Sequence, residues 1–215
     1  MGLWALPVAG ILILLPWFVF LGAPTANSDP DGYARQLTSG SYVVAGYVYL
    51  VGLLCLIFGL LAFYTSLPPA PGSLPTVGMV LSLSAVALVM PVFGVEVLAG
   101  PVLGDVYQAG HKDVSAAMVA LAGGSFSGRI IAYFLVCILV AALGAIATGT
   151  GLWRSRALPR WTIIALEVEF VLTIASSPIV THVGAILLII TGAWIARRFA
   201  QPVARLGMAG APAAP

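Results

Sequence analysis

The sequence predicts an all-α polytopic membrane bundle of about six transmembrane helices, and three observations predict it. Only 7% of the 215 residues are charged and 61% are hydrophobic, with a mean hydropathy of +1.10. Soluble domains carry roughly 25% charged residues, so this composition excludes a soluble fold. Six apolar runs, residues 3–22, 41–65, 76–99, 129–152, 161–177 and 179–197, approach the ~20 residues that cross a bilayer core. The cations are also unevenly placed. Arg154, Arg156, Arg160, Arg197, Arg198 and Arg205 fall on one side of a six-span arrangement, with only Arg35, Lys112 and Arg129 on the other. By the positive-inside preference both termini are cytoplasmic, in a multi-pass protein of the plasma membrane.

The organisation follows from the same pattern. Residues 1–200 form one transmembrane domain, and the Ala- and Pro-rich segment 201–215 is expected to be a disordered cytoplasmic tail. The first run has no basic residue before it and no small-residue cleavage site after it, so it is read as a retained span. In the first outer loop, Asp29 as N-cap and Pro30 at the first helical position predict a short helix, with Asp31 and Arg35 as an i,i+4 pair. Span two brings Tyr42, Tyr47 and Tyr49 near the outer interface, where tyrosine is enriched; the same rings can wall a cavity and stabilise a cation. Pro91 should bend span three and release carbonyls that neighbours must satisfy.

Glu96 lies near the outer end of span three, and Asp105, His111 and Asp113 follow in an outer loop, residues 100–128. Asp113 can cap a small helix through Leu121, closed by Gly123-Gly124, acting as a lid or lying at the interface. Span four is rich in small residues, Ala141, Gly144, Ala145 and Gly149 among them, and span six carries Gly184, Ala185, Gly192 and Ala193. Such residues let helix backbones approach closely where lipid supplies no hydrophobic drive. Between those spans lies the basic turn Trp153-Arg154-Ser155-Arg156-Ala157-Leu158-Pro159-Arg160-Trp161. Trp153, Trp161 and Trp194 mark the cytoplasmic boundary.

Span five holds the costliest residues, Glu167 and Glu169, each about 2.5–3.5 kcal/mol to insert. Two positions apart, they point about 200° apart on a helix and cannot act as one dyad. Glu169 shares a stripe with Thr162, Ala165, Thr173 and Ser176, which predicts an interior position. Glu167 shares its face with Ile163, Ile164 and Val171 and has Arg160 two turns below it, which predicts a snorkelling ion pair. A carboxyl in a dry setting can donate a proton or a hydrogen bond. The candidate catalytic residues are therefore Glu169, Glu96 and Asp105, with Tyr47, Tyr49, Thr173 and His182 as substrate contacts.

Other chemistries find no support. The net charge of +2 with no basic stripe excludes nucleic acid. Neither HExxH, GxSxG nor a phosphate-binding Gly loop occurs, and no span holds a lysine for a Schiff base. Two separated histidines make no metal-ligand motif and no haem pair, so neither metal nor cofactor is expected. Cys55 and Cys137 fall inside apolar runs and read as packing residues.

The hairpin Leu152 to Trp161, with its RSR-x-LPRW pattern, resembles a turn common in bacterial, especially actinobacterial, polytopic membrane proteins of unknown function. The resemblance covers about the last third of the chain and implies two late spans followed by a Gly-rich final helix. It implies no activity. Those proteins have apolar residues where this chain has Glu167 and Glu169. By size and acid content the chain also looks like the small integral-membrane terpene cyclases, a likeness of format that transfers no residue.

Three functional expectations follow. The first is proton-initiated, cyclisation-type chemistry on a lipophilic, isoprenoid-like substrate. The second is a non-catalytic subunit of a larger membrane complex or homo-oligomer. The third is a proton-coupled or lipophilic-solute carrier, disfavoured because the halves show no inverted repeat.

Overall fold

The computed structural model describes residues 2–20, 28–67, 73–121, 128–155, 158–174 and 178–209. The elements are α1 (Ala5–Phe20), α2 (Pro30–Leu37), α3 (Gly40–Ser66), α4 (Leu74–Gln108), α5 (Ser115–Leu121), α6 (Gly128–Ser155), α7 (Arg160–Ile174) and α8 (Pro178–Ala209). No strand occurs among the described residues. Five helices, α1 with the turn before it, α3, α4, α6 and α8, are long and apolar enough to cross a membrane, which marks a membrane protein. The fifth expected span is α7, whose 15 residues reach roughly 22 Å, short of a ~30 Å hydrocarbon core.

The long helices and α7 make a ring in chain order. Each packs against the one before and the one after it, and α8 closes on α1. Leu6, Leu56, Phe63, Val86, Ala141, Phe170 and Leu188, drawn from all six, turn into one continuous core. The start of α1 and the end of α8 share one end of the ring, since Gly192 packs on Leu6 while His182 lies 5.8 Å from Trp17. Trp161 and Trp194 meet at 5.0 Å at that first end, with Arg198 5.2 Å from the Trp194 ring. Trp161, Trp194 and Arg198 therefore gather at one end, as their interfacial chemistry predicts.

Small residues set the closest approach. A Cβ on Gly78 of α4 would stand 2.5 Å from the Thr148 amide of α6, and one on Gly144 would stand 2.8 Å from the Ser82 amide. Only residues without bulk permit that crossing. Pro91 lies inside the uninterrupted helix α4, and one turn before it Tyr133 of α6 donates its hydroxyl to the Leu88 carbonyl at 2.5 Å.

The end of the bundle that carries α2 and α5 differs from expectation in three ways. The helix α4 continues through Pro101 to Gln108, so Asp105 is helical and exposed rather than part of a loop. Tertiary packing accounts for it: α2 lies on this extension, with the Ala34 carbonyl 2.9 Å from where a Gly104 Cβ would be. Asp31 pairs with Lys112 at 2.7 Å rather than with Arg35. Asp113 sits inside a 3₁₀ turn, Lys112–Val114, capped at His111, and not at the start of α5. Gly110, at φ 104°, reverses the chain after α4 and brings Lys112 over the Tyr107 ring, 3.7 Å from its centre. The capping of α2 follows the sequence: Asp29 Oδ1 accepts from the Gly32 amide at 2.8 Å, with Pro30 in the first turn. Helix α8 runs on to Ala209, into the segment expected to be disordered. Arg156, Gly123-Gly124, Ser176 and Ser177 lie outside the described residues.

Two measurements check this packing. Gly78→Val should cost about 1–3 kcal/mol of stability in detergent unfolding, whereas Gly94→Val, with nothing within 4 Å of its Cβ, should not. The Lys112 ammonium, hydrogen-bonded to Asp31, holds that carboxyl below its ordinary 3.8, and Asp31 raises Lys112 above 10.5. A depressed carboxyl contributes stability above its unfolded pKa and loses it as pH falls through the folded one; a raised ammonium loses its contribution as pH rises through its folded value. The tether is thus complete at neutral pH and fades only below 3.8 or above 10.5. Asp31→Asn should speed amide exchange in α2 at neutral pH and remove its acceleration below pH 3.8. The effect should shrink with added salt, because both side chains are exposed.

Candidate functional site

The two glutamates of α7 face different neighbours. Glu169 is buried, 1% exposed, and its Oε2 accepts a hydrogen bond from Thr191 Oγ1 of α8. Thr162 and Thr173 are buried on the same stripe, as their spacing predicts. Thr173 packs where Gly184 makes room, 2.7 Å from that residue's would-be Cβ to the Thr173 amide. Glu169 Oε1, Thr162 Oγ1 and Thr173 Oγ1 have no hydrogen-bond partner among the described residues. Glu169 is thus a brace between α7 and α8, and it borders none of the described hollows.

Glu167 turns to α6. Its carboxyl occupies the space that any side chain at Gly149 would fill. On the inner side it borders a hollow of about 30 Å³ with Phe63, Tyr64, Ser82, Thr148 and Phe170. That volume holds one or two waters. Tyr64 Oη and Thr148 Oγ1 are hydrogen-bonded across α3 and α6, so the hollow has a polar edge beside aromatic faces. On the outer side Glu167 borders a cleft of about 320 Å³ between α6 and α7, with Gly149, Thr150, Trp153, Arg154 and Ile164. The expected ion pair with Arg160 does not form. The Arg160 guanidinium stacks on the Trp153 ring instead, 4.8 Å from its centre, because the indole at the end of α6 offers it a π face.

The remaining candidates lie toward the other end. Tyr42 donates its hydroxyl to Glu96 Oε1 at 3.0 Å, with Tyr33 beside Tyr42. Tyr49 is buried against Phe93 at 4.7 Å and Trp17 at 6.5 Å. Tyr47, two positions away, is 50% exposed on the outside of the ring. His182 packs by Trp17 and Phe18, at 5.8 and 6.2 Å. Asp105 is nine positions beyond Glu96, roughly 13 Å along α4, so the two carboxyls do not converge. Among the described residues no three His, Cys, Asp or Glu side chains are grouped to hold a metal ion. The structure therefore brings Glu96 near Tyr49, and Glu169 onto the stripe of Thr173, but makes no single site of the seven candidates.

Sequence spacing gave no sign of the pairing between Glu167 and Gly149. The usable signal was the step Ala141, Ala145, Thr148, which turns a small-residue face of α6 toward its neighbours. Carbodiimide labelling mapped by mass spectrometry checks the arrangement: Glu167 should react and Glu169 should not. Gly149→Ala should push the Glu167 carboxyl outward and increase its labelling while Glu169 stays unreactive. No protein-family model matches this chain, and no curated protein or solved structure is significantly similar to it.

Proposed function

We propose that this is a six-pass plasma-membrane protein, with both ends cytoplasmic, that performs acid–base chemistry on a lipophilic, isoprenoid-like amphiphile, with Glu167 moving the proton. One observation carries the reading: among the described residues, Glu167 is the acidic side chain placed between an aromatic-edged hollow and a cleft that opens outward. Apolar walls receive a lipid chain, a few polar groups orient it, and the carboxyl lies where the two meet. Protonation of an alkene carbon by Glu167 leaves a carbocation on the chain lying in the cleft. Loss of a proton from a neighbouring carbon to the carboxylate restores neutrality. The net change is an isomerisation or cyclisation that needs no oxidant and no co-reactant. Glu169 then holds α7 to α8, and Glu96 with Tyr42 steadies the opposite end.

A second reading, a non-catalytic subunit of a membrane complex, is favoured by the filled core and the water-sized hollow. The two are separated in nanodiscs made up in deuterated buffer with a panel of prenyl substrates. Recovered lipid should carry solvent deuterium with the native protein and with Glu169→Gln, and lose it by about 10²-fold or more with Glu167→Gln. Absence of deuterium with the native protein across the panel leaves the subunit reading.

A further inference from the structure

The cleft beside Glu167 does not end at that residue. A second opening of about 300 Å³, lined by Trp153, Arg154, Leu158, Arg160 and Ile163, shares Trp153, Arg154 and Ile163 with the first. It lies at the end of the ring where the tryptophans gather, with Trp153 44% and Trp161 52% exposed. Three sources of positive potential meet there. Arg154 ends α6 and Arg160 begins α7, and neither forms an ion pair with a carboxylate among the described residues. The third is the N-terminus of α7, whose first turn carries no acidic side chain, although its Thr162 and Ile163 amides donate to the Pro159 carbonyl. Stacking of Arg160 on Trp153 fixes one guanidinium plane without consuming its hydrogen-bond donors.

We propose that Arg154, Arg160 and the first turn of α7 bind the phosphate or diphosphate headgroup of an amphiphile whose chain runs along the α6–α7 cleft toward Glu167. Arginine suits this work because its planar fork matches phosphate oxygens in pairs. Basic pockets between membrane helices on the cytoplasmic side take such headgroups. Two sources share that chemistry, bulk anionic phospholipid and a prenyl phosphate or diphosphate. The proposal names the substrate class of the function proposed above and rests on that reading for its use of Glu167, though binding is measured separately from turnover.

The test is equilibrium binding to the full chain in neutral-lipid nanodiscs, followed by tryptophan fluorescence and calorimetry. The probes are farnesyl diphosphate, farnesol, inorganic diphosphate and phosphatidylglycerol incorporated into the disc. Farnesyl diphosphate should bind, inorganic diphosphate should compete with it, and farnesol should bind at least about tenfold more weakly. The double variant Arg154→Gln/Arg160→Gln should weaken farnesyl diphosphate by about tenfold or more, and Arg154→Lys/Arg160→Lys should restore part of that loss. Competition by phosphatidylglycerol at disc concentrations assigns the site to bulk lipid; its failure to compete assigns the site to the prenyl ligand. Glu167→Gln should leave binding intact. If it does while deuterium exchange never occurs, the headgroup site stands and the catalytic reading falls. Equal binding of farnesol and its diphosphate, or no change in the double variant at unchanged melting temperature, overturns the proposal.

Discussion

The short helix α7 depends on two glycine notches. On one side the Glu167 carboxyl fills the space left by Gly149 of α6; on the other, the Thr173 backbone lies against Gly184 of α8. A helix of 15 residues has little apolar length to hold it, so its position rests on these close approaches and on the Glu169–Thr191 hydrogen bond. Everything chemical described above follows from that seating. It turns one carboxyl into a packed helix interface and leaves the other at the wall of a cleft.

The other contacts support that arrangement from a distance. Gly78 and Gly144 bring α4 and α6 together, which sets Ser82 and Thr148 beside Tyr64 and forms the polar edge of the inner hollow. The cap at the opposite end is built separately. Tyr33, Leu37, Tyr42, Tyr107 and Met118 make a small second core under α2 and α5, clamped by Asp31 and Lys112. The Glu96–Tyr42 hydrogen bond links this cap to the ring, so the two acid-bearing regions occupy opposite ends of one framework.

Much of this could be read from residue order. Apolar runs located the helices, the tryptophans and arginines marked one end, and the stripe Thr162, Glu169, Thr173 identified the buried face of α7. Three features escaped, each for a physical reason. The stretch from residue 100 reads as a loop, but packing of α2 on the end of α4 outweighs the local helix penalty of Pro101. Asp31 and Arg35 have helix-pair spacing, yet Lys112 reaches Asp31 through a fold-dependent turn at Gly110. Glu167 sits among isoleucines in sequence, while the feature that receives it is an absent side chain on a different helix. Periodicity reports which face a residue occupies; it cannot report a notch in the partner.

The closed ring also has a history. The earliest and the latest helix of the ring to be made are neighbours, with the Ala185 carbonyl of α8 2.8 Å from where a Gly10 Cβ would stand. All other seams join helices that emerge one after another and can zip as they appear. This one must wait for every other helix of the ring, a long-range closure that is slow by nature. Until then the nascent protein is an open crescent, with Glu169 turned toward a place where Thr191 has not yet arrived. Helix α8 is therefore a keystone, and the brace beneath the proposed site is the last piece of the ring to be set.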